Sequence, residues 1–148
     1  MRILARVALL ILGLSFTGAA IADPSVNAAG GIGAKGRDIV AYQSEKRAVR
    51  GQEAHTVEHQ GVRWRFASAA NAEAFRKDPA RYLPAYGGFC AYGVAQGYKV
   101  DIDPDAFTVV EGRLYLNYSR SVRSTWEKDI PGYVVKADGN WPALGPKP

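Results

Sequence analysis

His55-Thr56-Val57-Glu58-His59-Gln60-Gly61-Val62-Arg63-Trp64-Arg65-Phe66 is the stretch that decides the fold of this chain. Two runs of alternating character flank Gln60-Gly61, where glycine permits the positive φ of a tight turn, so the stretch reads as a β-hairpin. Val62, Trp64 and Phe66 then share one face, fit for burial, while Arg63 and Arg65 point to water. Ser68 follows as a helix cap, and Ala69 to Lys77 carries a helical pattern with Phe75 turned towards the sheet. Asp78-Pro79 stops that helix.

The same unit recurs 51 residues later. Gly61, Trp64, Ser68, Phe75, Lys77 and Asp78 align without gaps on Gly112, Tyr115, Ser119, Trp126, Lys128 and Asp129. Thr108-Val109-Val110 and Leu114-Tyr115-Leu116 are therefore expected as a second hairpin around Glu111-Gly112, with Arg120 to Lys128 as a second helix. One strand-strand-helix unit cannot bury both sides of its aromatics, so the two units are expected to share a core in one small α+β domain. Pro131 is expected to end the second helix, and Gly132 to Trp141 to form another short one. Upstream, Asp38-Ile39-Val40-Ala41-Tyr42 reads as a short strand where order begins, and Gln43 to Gln52 as a loop.

The ends of the chain bound its setting. Arg2 and Arg6 bracket a basic start, Val7 to Phe16 is almost unbroken apolar, and Ala20-Ile21-Ala22 supplies the small residues a signal peptidase needs. Residues 1–22 thus read as a signal peptide of bacterial type cleaved after Ala22, sending the rest to the periplasm or the exterior. The apolar run is shorter than the roughly 20 residues a spanning helix needs, so no membrane span is expected in the mature chain. Residues 23–36 hold alanine and glycine with little to bury and read as a flexible leader, leaving 37–145 as the domain. The formal charge of +5 falls to +3 on losing Arg2 and Arg6. The remaining cations are interleaved with acids, which argues against nucleic-acid binding.

The chain has one cysteine. Cys90 lies in Tyr86-Gly87-Gly88-Phe89-Cys90-Ala91-Tyr92, before a segment able to form a short helix. A thiol without an internal partner is a buried small hydrophobe, a metal ligand, or a free or intermolecularly paired group. A helix N-terminus would stabilise its thiolate. His55 and His59 sit four strand residues apart, about 13 Å, so they do not read as a pair on one ion. Asp101, Asp103 and Asp105 alternate, but Asp103-Pro104-Asp105 reads as a turn or cap and lacks the calcium-loop spacing. No catalytic constellation is identifiable, since neither an orienting nor an oxyanion element can be placed beside Cys90. The aromatics Tyr86, Phe89, Tyr92 and Tyr98 are the candidates for a pocket or partner surface.

The stretch from Asp38 to Tyr82, with Asp38-Ile39-Val40-Ala41, Ala54-His55-Thr56, Trp64-Arg65-Phe66-Ala67-Ser68 and Asp78-Pro79-Ala80-Arg81-Tyr82, resembles the YHS domain. The block around Cys90, Leu114-Tyr115-Leu116-Asn117-Tyr118 and Trp126-Glu127-Lys128-Asp129-Ile130-Pro131 are similar to its secreted bacterial branch, so the likeness covers nearly the whole mature chain. It implies a TRASH/YHS-like fold and the binding of a transition metal, copper or zinc. In YHS domains of metal-transporting ATPases the cysteine ligands fall at positions that here are Ala41, Ala67 and Asn71. Only His55 is carried over, so the resemblance leaves a site rebuilt from Cys90, His55 and Asp38. The alternative is a binding module without metal, its ligand a small molecule or a periplasmic protein, with Cys90 structural.

Overall fold

A computed structural model describes residues 25–145; the expected signal peptide lies outside them. The first hairpin pairs β1 (Gln52–His59) with β2 (Val62–Phe66), and the second pairs β3 (Asp103–Val110) with β4 (Arg113–Asn117). Both are antiparallel and each forms its own two-stranded sheet. In both turns the two central residues take positive φ, 50° and 76° at Gln60-Gly61 and again at Glu111-Gly112. That is the backbone of a type I′ connection. The repetition extends to an irregularity in the pairing, between Gln52 and Thr56 in β1 and between Asp103 and Phe107 in β3, at equivalent places in the two units.

Each hairpin is followed by a capped helix, as the sequence predicts. Ser68 Oγ accepts from Asn71 N at the start of Ala69–Lys77, while Ser119 Oγ accepts from Val122 N at the start of Arg120–Glu127. The α-helices follow in chain order as α1 (Ala41–Ser44), α2 (Ala69–Lys77), α3 (Pro79–Tyr82), α4 (Ala91–Ala95), α5 (Arg120–Glu127) and α6 (Ile130–Leu144). Asp78 and Asp129 open α3 and α6 by accepting from Arg81 N and Gly132 N. Proline fits in their first turns, where an amide would have no partner in the helix. Pro131 therefore starts a helix rather than ending one, and the short final helix expected from the sequence is the longest among the described residues.

The apolar side chains divide into two clusters. Val62, Trp64 and Phe66 pack on Phe75 in the first, with the Phe66 and Phe75 rings 5.1 Å apart. Tyr115 packs on Trp126 at 5.0 Å in the second, with Tyr86, Ala91, Val94 and Ala137. Strand β4 joins them: Leu114 and Leu116 enter the first cluster while Tyr115 between them enters the second. The units therefore share the first cluster as a common core, to which Ile102, Leu114 and Leu116 of the second unit contribute, and β4 has both faces buried.

Two upstream readings are corrected. Asp38–Tyr42 is a turn leading into α1, not a strand, because the Asp38 carboxylate accepts from Val40 N at 2.9 Å and Ala41 N at 3.1 Å and bends the chain. The described part of the expected flexible leader, 25–36, is a strap packed across both units. Asn27 bonds to Gly87, Gly88 and Asp101, Lys35 pairs with Asp101 at 2.8 Å, and Ile32 bridges to Arg63.

Candidate ligand-binding cleft

The three residues expected to hold a metal are not brought together. Asp38 is fully buried, and its second carboxylate oxygen accepts from Ala67 N and Asn71 Nδ2, both at 2.8 Å. Four donors thus occupy its two oxygens. Cys90 is buried at the start of α4, where its sulfur accepts from Gly93 N at 3.4 Å and Tyr118 N at 3.3 Å. His55 lies half-buried on β1. Among the described residues no three His, Cys, Asp or Glu side chains gather into a group able to hold a metal ion. The expected Cys90, His55 and Asp38 set is not assembled.

The reason lies in the repeat. Asp38 reaches the amide three residues on, Ala41, and the amide just past β2, Ala67. Cys90 reaches the amide three residues on, Gly93, and the amide just past β4, Tyr118, the repeat counterpart of Ala67. Two of the expected ligands are therefore counterparts in the two halves, each fastening a short helix to the end of its own hairpin. Burial raises the Cys90 thiol above its ordinary value, against the opposing pull of the Gly93, Tyr118 and Tyr92 backbone bonds. A neutral, enclosed thiol of this kind is a capping group, and it makes a poor nucleophile.

Sequence reasoning missed Asn117, which completes this corner. Its buried carboxamide oxygen accepts from Tyr92 N at 3.1 Å and lies 3.5 Å from Cys90 Sγ. The available signal was a polar residue at the repeat position of Phe66, where the first unit buries a ring.

The four aromatics expected to make a common surface are dispersed by α6, which crosses them. Tyr86 and Phe89 pack against Trp141, at 5.9 and 6.5 Å, and Tyr92 against Tyr133 at 5.2 Å. Tyr98 stands apart and exposed. Tyr86 is buried, and its hydroxyl donates to Asp138 Oδ1 at 3.0 Å; burial, then that carboxylate, push the phenol well above its ordinary range.

Of the four, only Tyr86 reaches a cleft of about 580 Å³ along the seam between the units. From the first unit come Gln43, Arg81, Leu83 and Pro84, while Arg113 and Trp141 come from the second. Gln43 stitches the seam, its Nε2 donating to Arg81 O at 2.9 Å and to Gly112 O at 2.8 Å. The Arg113 guanidinium stacks over Tyr86 and Tyr115, each at 5.3 Å. Such stacking holds the group in place, and the contacts on its edge, from Nη1 to the Tyr115 hydroxyl and to Asp138, are long, 3.5 and 3.7 Å.

The fold and cleft together define a small α+β protein made of two like units with a concave seam. Comparisons with protein-family models, curated proteins and solved structures found no match for this chain. The YHS likeness therefore rests on its motifs alone. Among the described residues no helix is long and apolar enough to cross a membrane.

Proposed function

We propose that this chain is an exported binding module of the YHS-like kind that takes a small molecule, without metal, in the cleft between its two units. The observation that carries this is the cleft itself. Its volume of about 580 Å³ sets apolar walls, Leu83, Pro84 and Trp141, beside two guanidinium groups. Small-molecule sites are hollows of that size in which a few placed polar groups fix the ligand. This lining is more polar than apolar, so the guanidinium groups rather than the walls would set its affinity. Two of the three residues that would have served a metal fasten short helices instead. Cys90 and Asp38 secure the helices α4 and α1, and α1 contains Gln43, the side chain that ties the seam.

Trp141 supplies the test, because Trp64 and Trp126 are buried in the cores whereas Trp141 borders the cleft. A fragment screen read by tryptophan fluorescence is expected to give saturable hits, of which the anionic ones weaken or disappear in Arg81→Gln protein of unchanged thermal stability. Calorimetry should show the same hits lost in Trp141→Ala. Hits that persist in both variants, or stoichiometric copper or zinc lost on Cys90→Ala, would refute this reading.

A further inference from the structure

The cleft has two unlike ends. At one, Arg81 and Arg113 face the hollow, and an adjoining hollow of about 260 Å³ shares Arg81 and adds Lys46. Three cations meet a single acid, Glu111, among the described residues of these walls. Arg81 lies over Tyr82 at 5.5 Å and pairs with no carboxylate among the described residues. Arg113 makes two long contacts, both through Nη1, 3.5 Å to the Tyr115 hydroxyl and 3.7 Å to Asp138. Both guanidinium groups keep donors for an anion, and Arg113 is already oriented by the rings beneath it.

At the other end, Leu83, Pro84, Gly87 and Trp141 also border a hollow of about 200 Å³ whose remaining wall includes Val26, Val62 and Trp64. That hollow carries no acid or fixed cation, His59 being its one ionisable side chain among the described residues. A cationic lip and an apolar recess thus meet on the two faces of one Leu83-Pro84-Trp141 wall.

We propose that the ligand is an amphipathic carboxylate, its head held by Arg81 and Arg113 and its apolar part lying along Trp141 and Leu83 towards the Val62–Trp64 recess. This rests on the reading of the cleft as a ligand site and adds the chemistry of the ligand. Neither end suffices alone. Solvent-exposed guanidinium groups hold a simple anion weakly. A recess of about 200 Å³ buries too little of a neutral chain for tight binding.

Dodecanoate below its micelle concentration, dodecanol and acetate serve as probes, followed by Trp141 fluorescence and titration calorimetry on the mature chain. Dodecanoate is expected to bind saturably at one site, dodecanol about tenfold or more weakly, and acetate without a measurable signal, the loss of one charged hydrogen bond being worth roughly that factor. Arg81→Gln, at an exposed position, should weaken dodecanoate by about the same factor and leave dodecanol unchanged. Arg113→Gln should do likewise, with its thermal midpoint measured alongside because it also loses the ring stack. Equal binding of dodecanol and dodecanoate would overturn the carboxylate assignment while leaving the cleft as a ligand site. So would failure of both chains in a protein whose fragment screen succeeds. Failure of both chains and of the screen would overturn both proposals.

Discussion

Asp38 and Cys90 show how one structural task is met by two different atoms. Each receives the amide of a helix three residues on and the amide that follows the second strand of its hairpin. A carboxylate in this position takes two further donors, Val40 N and Asn71 Nδ2, whereas the thiol has the Asn117 carboxamide beside it. Cys90 is readable as a cap candidate from the short helix after it, yet its equivalence to Asp38 is not. The sequence offset is 52 at the caps and 51 at the strand ends, so a gap-free alignment misses the pair. The thiol makes a pH prediction with a definite sign. Its folded value lies above the ordinary 9.0. As pH rises past 9 the unfolded chain gives up this proton while the folded chain keeps it, so the stability tied to Cys90 is present below that pH and lost above it. Cys90→Ala should therefore be less stable at pH 7 by about 1–3 kcal/mol, having left two amides unpaired. The gap to the parent should narrow as pH rises through 9 in denaturant titrations. A gap that widens there would mean the thiolate is the form the fold prefers.

Among the elements, the hairpins and their helices are legible because local chemistry forces them. Turn pairs that accept positive φ, serine caps and alternating apolar positions act within a few residues of one another. The strap over 25–36 and the length of α6 are not legible. The alanines and glycines of the strap offer little to bury, and much of its docking runs through the backbone. Gly33 lies so close on the Trp64 ring that any Cβ would overlap it, which makes that glycine a contact rather than a hinge. Gly87 is the same device on the facing side. Its φ is +60°, and a Cβ there would overlap the Ser25 carbonyl. Gly87→Ala should therefore release the start of the strap, with a loss of about 1–2 kcal/mol from the left-handed backbone alone. Hydrogen exchange at the Asn27 amide, which donates to Gly87 O, reads the release directly. Exchange there should accelerate while the Trp64 and Phe75 region stays protected. An unchanged Asn27 amide would show that the strap is held elsewhere, at Lys35 and Asp101.

Over the whole molecule, what escapes the sequence is the way the units meet. Tyr86, Phe89, Tyr92 and Tyr98 read as one surface because they are neighbours along the chain, but α6 returns across them and sorts them between Trp141, Tyr133 and solvent. Arg81, Arg113 and Trp141, which line the cleft, lie far apart in sequence and carry no mutual spacing signal. The same meeting fixes the thermodynamics. Strand β4 belongs by hydrogen bonding to the second unit, yet Leu114 and Leu116 are fully buried in the cluster built around Phe66 and Phe75 of the first. If the units were beads on a string, a cavity in β4 would loosen only its own hairpin. Because β4 walls both cores, Leu116→Ala should cost about 2–5 kcal/mol and lower the stability of both halves together. Trp64 reports on the first core and Trp126 on the second, so the measurement needs only Trp126→Phe and Trp64→Phe backgrounds, each also carrying Trp141→Phe, in urea. The two reporters should give coincident transitions before the substitution and coincident, equally shifted transitions after it. A Trp126 transition that moves while that of Trp64 stays in place would separate the units, and with them the rigid seam on which the cleft depends.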